Sequence, residues 1–526
     1  MINHSKVPTV SSEVFDYIVV GGGAAGSVLA ARLSERADVS VLLIEAGSSD
    51  YAPEINVPLA SMQLFKTKFD WDYCSEPEPA LDRRSIYVPR GKTLGGSTSI
   101  NSMLYLRGNP ADYDEWARAG AFGWSYEELL PYFIKSERNN RWDDRWHGRG
   151  GPLAVQDGRS GLSEFDWFID AAIEAGHPRN DDFNGQSQMG VGYYQLMQHR
   201  GVRCSAAHAY LHPAHERKNL TVKANALVTK VVLDGMRAVG VAVDRDGAEE
   251  IYRADREVIL SAGSYNSPQL LMLSGIGPAA HLSGMGLNVV ADLPVGEGLQ
   301  DHPMLGLIYL TDERTLSFAG TAEDFRQFQT EGRGPLTSNA VEAGGFLSTQ
   351  GHASIPDIQL YFCLALYGNA GLMKPHDEGL GIAVNLMKPL SRGRVSLRSS
   401  RPDAKPRILF NYFQEIEDRK VALEGVRTAL EVCQQPSLRG RLRAPYLIPK
   451  SPDSTDIWKF VQENIETGHH PVGTCAIGTV VDPQLRVLGM DGLRVVDASV
   501  MPSIIRGNTT APVIAIAERA ADILNQ

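Results

Sequence analysis

The sequence predicts an α/β fold of the dinucleotide-binding, Rossmann-like type, accompanied by a second domain. Three observations carry the first part. The apolar, β-branched run FDYIVV (15–20) reads as a buried strand. The loop GGGAAG (21–26) follows it and opens into SVLAARLSE, which has helical spacing. A second buried run, VSVLLIEAG (39–47), carries Glu45 near its end. Strand, Gly-x-Gly-x-x-Gly, helix, strand and acidic residue stand in the order such a fold requires. The second domain follows from length, because 526 residues exceed what one ordinary core holds.

Each residue of this start has an expected task. Gly21 permits the tight turn, Gly23 lets the backbone approach a pyrophosphate, and Gly26 lets helix and strand pack closely. Ala24 and Ala25 begin the helix whose unpaired N–H groups attract phosphate. Glu45, followed by Ala46, is placed to accept hydrogen bonds from ribose hydroxyls. The motif by itself does not separate FAD from NAD.

Bulk properties exclude several other functions. The formal net charge is −11 and no Lys/Arg-rich run occurs, which argues against a nucleic-acid partner. Five scattered cysteines without a Cys-x-x-Cys pair suggest neither a disulfide framework nor a metal site. The segment MINHSKVPTVSSEVFD lacks the charged start and apolar stretch of a secretory signal. No run approaches the ~20 apolar residues of a membrane span. A cytoplasmic protein without a transmembrane segment is the plain reading.

Four further blocks narrow the cofactor. They are GKTLGGSTSINSMLYLRGNPADYD (91–114), GSYNSPQLLMLSGIG (263–277), LPVGEGLQDHP (293–303), and HHPVGT (469–474) with GLRVVDASVMPSIIRGNTTAPVIAIAERAADIL to residue 524. In this order they resemble the glucose–methanol–choline (GMC) oxidoreductases, and the resemblance spans about residues 14 to 524. It implies FAD. It also implies flavin-side contacts at Trp71, Arg90, Thr93, Gly95, Gly96, Ser97, Asn101 and Met103, with others at Val228, Ala262, Asp497 and Ala498. For Val228 and Ala262 simple core packing is the alternative, and Asp497 either receives ribityl hydroxyls or caps the next turn. Some relatives join the flavin covalently to a histidine just before this asparagine. Here Ile100 stands there, so non-covalent FAD is expected.

The resemblance further implies hydride transfer from the alcohol carbon to flavin N5. The hydroxyl proton then needs a base, and a histidine suits that task. The family's His-Pro-x-Gly-Thr motif places the base at His470. His469 either contacts the flavin, points into the substrate pocket or packs. The family's second histidine or asparagine falls on Thr510, a departure from the pattern. A threonine hydroxyl donates and accepts over a shorter reach than an amide; a water bridge or His469 are the ways to fill the gap. Asn508 matches the family's first asparagine and, with Thr509, is expected to support the flavin loop. Arg506 either binds an anionic substrate group or faces solvent. Glu342 falls where choline-oxidising members carry a carboxylate for the substrate's cation, with a structural carboxylate as the alternative.

The implied architecture is discontinuous. Residues 1–155, 196–305 and 465–526 form the FAD-binding domain. Residues 156–195 and 306–464 form an α+β substrate domain on an antiparallel sheet, with DIQLYFCLAL (357–366) and RGRVSLRS (392–399) as strands. The implied activity is that of a choline-dehydrogenase-like FAD alcohol dehydrogenase or oxidase, reoxidised by oxygen or another acceptor. The alternative is a hydroxynitrile-lyase-like enzyme using the same histidine for acid–base chemistry. The identity of the alcohol and the oligomeric state carry no signal in the sequence.

Overall fold

A computed structural model describes residues 9–245, 247–351 and 354–526; residues 1–8, the start of the expected FAD-binding segment and of the N-terminal stretch read for a signal, lie outside them. The run at 15–20 ends the strand Thr9–Val20. Tyr17–Val20 pair in parallel with Val41–Ile44 on one side and with Glu257–Leu260 on the other. Ile18, Val19, Leu42 and Leu43 have no solvent exposure, as strands covered on both faces require.

The sheet runs Leu220–Lys223, Val41–Ile44, Thr9–Val20, Ala248–Leu260, Arg237–Arg245 and Leu227–Asp234, with Leu493–Val495 added to Ala248–Leu260. The pairings are parallel from Leu220–Lys223 to Ala248–Leu260 and on to Leu493–Val495. From Ala248–Leu260 outward they are antiparallel. This meander is an addition to the expected parallel core. The helix Ala24–Leu33 packs against the C-terminal helix Thr510–Leu524. Arg32 holds the buried Glu518 across that contact at 2.8 Å. Residue 510 is thereby brought to the glycine loop, nearly five hundred positions away in sequence.

A second seven-stranded sheet is antiparallel at every pairing. Its order is Ala444–Leu447, Pro303–Leu310, Gly379–Leu386, Ile358–Cys363, Ala343–Leu347, Gly190–Tyr193, with Glu466–Thr467 added to Pro303–Leu310. The expected strand in 357–366 belongs to it. The expected strand in 392–399 exists as Gly393–Ser396 but pairs with Glu297–Leu299 and Arg407–Leu409 in a separate small sheet.

Alternation along the strands assigns two faces. Leu305, Leu307, Leu360, Phe362 and Ile382 enter a hydrophobic core to which the helix Ile416–Cys433 contributes. Met304, Gly306, Ile308, Tyr361, Cys363 and Ala383 turn the other way and line a cavity. Gly306, Ala383 and Tyr361 lie in one cross-strand row. The small residues in that row leave room above the sheet. Among the described residues no helix is long and apolar enough to cross a membrane.

Candidate active site

Two cavities meet between the sheets. The larger, about 350 Å³, begins at the first glycine loop; the smaller, about 190 Å³, lies over the antiparallel sheet. Arg90, Ser97, Thr509 and Thr510 line both.

The larger cavity fits a dinucleotide. Gly21 adopts φ +100°, and a Cβ there would stand 2.6 Å from Ser261 O. A Cβ on Gly26 would stand 1.8 Å from Gly21 O. At Gly23 only Gly96 Cα lies nearby, at 3.9 Å, and a Cβ on Gly96 would stand 2.8 Å from Gly23 Cα, so the two glycine loops pack closely and form one side of the cradle. The helix beginning at Ala24 has no side-chain cap and no acidic residue in its first turn. Its leading N–H groups therefore suit an anionic pyrophosphate. Glu45 accepts from Gly22 N at 2.8 Å and from Gly47 N at 2.7 Å while lining the cavity. Burial pushes its carboxyl up to about 6. It fastens the loop and keeps lone pairs for a ligand hydroxyl.

Most expected cofactor positions line this cavity. Gly21, Gly23, Ala24, Ala25 and Ala46 surround its first end. Trp71, stacked on Tyr73, Gly96, Val228, Ala262 and Ala498 continue the wall. Asp497 also lines it, but its carboxylate accepts from Gly263 N at 2.9 Å and Ser499 N at 2.8 Å. It thus caps the turn that follows. Three expected contacts lie behind the wall. Gly26 packs on the loop, Thr93 Oγ1 donates to Ser48 O at 2.9 Å, and Gly95 N donates to Gly22 O at 2.7 Å. These residues shape the site from the rear, because their polar atoms are spent on neighbouring backbone.

The smaller cavity holds Asn101, Met103, His469, His470 and Asn508. His470 is buried, and its backbone N–H donates to Asp301 Oδ1 at 2.6 Å. Thr467 and Tyr412 also donate to Asp301. His470 Nδ1 stands 3.0 Å from His302 Nδ1, and His470 Nε2 stands 3.0 Å from Asn508 Nδ2. Burial, then the neighbouring His302 and His469 rings and the Arg90 guanidinium, hold the His470 imidazole well below its ordinary range. His469 sits at φ +68° with Nδ1 unpartnered and its ring edge-on to Phe65. Its carbonyl accepts from Arg90 Nη1 at 2.9 Å.

Three expectations, at Thr510, Asn508 and Arg506, are corrected by this geometry, and at Glu342 it favours the structural alternative. Asn508, not Thr510, stands beside His470. Thr510 Oγ1 instead accepts from Asn101 Nδ2 at 3.3 Å, because residue 510 already belongs to the C-terminal helix. Asn508 accordingly contacts His470, Gln359 and Tyr361. Glu342 lines neither cavity: its neighbours are Gly158, Ser160 and Ser338, with Oε1 unpartnered. As Ala343 begins a strand, the side chain at 342 is turned away from the face that Val341 presents to the cavity. Arg506 also lines neither cavity. It pairs with the buried Asp112 and donates from Nε to Pro356 O at 2.9 Å, so no substrate anion is within its reach.

Sequence reasoning missed His302, Asp301, Gln359 and Tyr361. His302 and Asp301 stood in the quoted block 293–303, but nothing there indicated a partner 168 positions on. Arg203 was also missed. It is buried and holds Asn101 through Oδ1 at 2.9 Å and the carbonyl at 2.7 Å, and desolvation pushes its guanidinium down to about 9.

Two family models described as GMC oxidoreductase match residues 15–304 and 389–517. The chain is 41% identical over 524 residues to an oxygen-dependent choline dehydrogenase of Sinorhizobium fredii, covering 96% of this chain and 95% of that protein. It is 40% identical over 529 residues, with the same coverages, to one of Brucella suis biovar 1. Among solved structures, pyridoxine 4-oxidase from Mesorbium loti superposes with a TM-score of 0.89 at 31% identity, covering 97% of this chain and 98% of that one. An Aspergillus oryzae RIB40 formate oxidase gives 0.90 at 27% identity, covering 98% of each chain. These relatives are named as dehydrogenases and oxidases, and none supports the lyase alternative. With the loop, the cradle and the buried histidine accounted for together, the chain belongs to the GMC oxidoreductase family and is an FAD-dependent oxidoreductase of CH–OH donors.

Proposed function

We propose that the protein oxidises an uncharged alcohol to its aldehyde or ketone, with His470 as general base and FAD held without a covalent bond. The observation that carries this reading is the pairing of His470 Nε2 with Asn508 Nδ2 in the wall of the smaller cavity. When bound, FAD supplies the two-electron acceptor for the hydride that the carbinol carbon gives up. Gly23, the N–H groups at Ala24 and Ala25, Glu45, Ser97 and Ala262 would hold it. Ile100 is an apolar side chain and offers no atom for a covalent link.

The hydroxyl proton moves to His470 Nε2. Asn508 Nδ2–H, at the same spot, donates to the oxygen and stabilises the charge it gains. Asp301 fixes the backbone of the base. The apolar lining, with Met62, Phe65, Met304 and Ile308, excludes water from the reacting carbon. The segments up to 155, 196–302 and 468–526 serve FAD; 156–195 with 303–467 cover the substrate, the expected boundaries at 305 and 465 moving because Pro303–Leu310 and Glu466–Thr467 are strands of the second sheet. Oxygen as electron acceptor and a cytoplasmic location complete the reading, the first on the names of the relatives.

The uncharged substrate rests on the lining. Among the described residues it contains no aspartate or glutamate, and Arg90 is its one ion-bearing side chain. A quaternary ammonium would enter next to a guanidinium with no carboxylate in contact. Choline is the second reading, favoured by the relatives' names and by the rings of Phe65, Tyr361 and Tyr367. Anaerobic flavin bleaching with choline and with 3,3-dimethylbutan-1-ol, its uncharged isostere, separates the two. The uncharged alcohol is expected to show the higher kcat/KM by about tenfold or more. A tenfold preference for choline would reverse the assignment.

A further inference from the structure

We infer that His302 is a positioning residue that fixes the proton of His470 on Nδ1 and so keeps Nε2 free to act as base. The inference rests on His470 being that base. It follows from counting donors and acceptors along one chain of contacts.

His302 Nε2 lies 3.0 Å from Met387 O and 3.0 Å from Ile505 O. Both are carbonyl oxygens, which only accept, so Nε2 carries the proton. The ring has no solvent exposure and, among the described residues, no carboxylate against it, and burial pushes it down to about 3. His302 is therefore neutral, and its Nδ1 is a lone pair. That lone pair faces His470 Nδ1 at 3.0 Å. Two lone pairs at this distance would repel, so His470 Nδ1 carries a proton and donates it.

The other end of the chain gives the same answer independently. Gln359 Nε2 donates to Asn508 Oδ1 at 3.2 Å, and Tyr361 OH stands 3.2 Å from the same oxygen. This fixes which way the Asn508 amide points. Its Nδ2–H groups then face His470 Nε2 at 3.0 Å and require an acceptor there. A proton on Nε2 would set donor against donor at one end and lone pair against lone pair at the other. Both ends select the same tautomer, in which Nε2 is the basic atom.

The device is backbone-driven. Two main-chain carbonyls, one from the end of the antiparallel sheet and one from the loop before the C-terminal helix, fix His302, and His302 fixes His470. After His470 takes a proton at Nε2, Nδ1–H still donates to His302 Nδ1, while the new Nε2–H opposes the Asn508 amide, so the network favours the neutral base.

The test uses the FAD-loaded enzyme labelled with ¹⁵N-histidine, with His470 resonances assigned by their loss in His470→Gln. Wild type is expected to show an unprotonated-type Nε2 and a protonated Nδ1. His302→Leu removes the acceptor and is expected to lose this pattern, with flavin reduction slowed by roughly 10²–10⁴-fold and FAD content unchanged. His302→Asn restores an acceptor oxygen near the Nδ1 position and is expected to recover the pattern and most of the rate. A wild-type His470 protonated on Nε2 overturns the inference, and so does a His302→Leu enzyme with unchanged tautomer and rate. If His302→Leu does not fold, the wild-type spectrum alone decides. Failure of the base reading is seen separately, as a His470→Ala enzyme that reduces its flavin at the parent rate.

Discussion

Asn508 Nδ2 lies 3.0 Å from His470 Nε2, although 38 residues separate them in sequence. An amide donor and an imidazole lone pair at that spacing bracket the place an alcohol oxygen would take. Gln359 and Tyr361 hold the amide from behind through Asn508 Oδ1.

The first prediction follows from this pair. Asn508→Ala removes the donor without touching the glycine loops, so FAD content should stay unchanged. The rate constant for flavin reduction should fall by about 10²-fold, the usual cost of one donor at a developing oxyanion. Thr510→Ala should lower it by less than about tenfold, because Thr510 meets Asn101 instead. Stopped-flow reduction under anaerobic conditions measures both; equal losses would contradict the assignment.

The pH profile of kcat/KM should reflect the lowered His470. Its unprotonated form is the active one, and a lowered pKa keeps that form present to more acidic pH. The acid limb should therefore lie below the ordinary histidine value of about 6.5, not at it. Steady-state rates between about pH 5 and 9 give the limb directly. His470→Ala should slow flavin reduction by roughly 10²–10⁴-fold at every pH and abolish the limb.

Gly26→Ala tests the cofactor loop. A Cβ would meet Gly21 O at 1.8 Å, a contact that helix and strand can relieve only by moving apart. The cradle at Gly23 would open with them. The variant should purify with little flavin, read as a lowered ratio of visible to ultraviolet absorbance.

Arg506→Ala should affect stability and leave substrate choice unchanged. Its guanidinium pairs with Asp112, whose side chain is fully buried, and Lys388 stands 3.4 Å from the same carboxylate. Leaving a buried charge with one partner fewer should cost roughly 2–4 kcal/mol. Denaturant unfolding would show that loss, while KM should shift equally for acidic and neutral alcohols.

The sequence by itself determined the parts whose signal is local. The strand at 15–20, the turn at Gly21 and the helix that follows form where the sequence puts them, because a strand–turn–helix unit closes within about thirty residues. The blocks at 91–114 and 469–474 likewise marked the cofactor and the histidine, through motif and order alone. The tertiary structure decided what depends on direction and distant pairing. The backbone turn at 507–510 sends Asn508 toward His470 and gives Thr510 to a helix. Strand alternation turns Glu342 away from the cavity that Val341 lines. His302 meets His470 only because one immediately precedes the strand Pro303–Leu310 of the second sheet and the other follows the short strand Glu466–Thr467 paired to it. Motif spacing records which residues are present, whereas the side a residue faces is set by the pleat and the helix that receive it, and those are settled only when the two sheets close over the site.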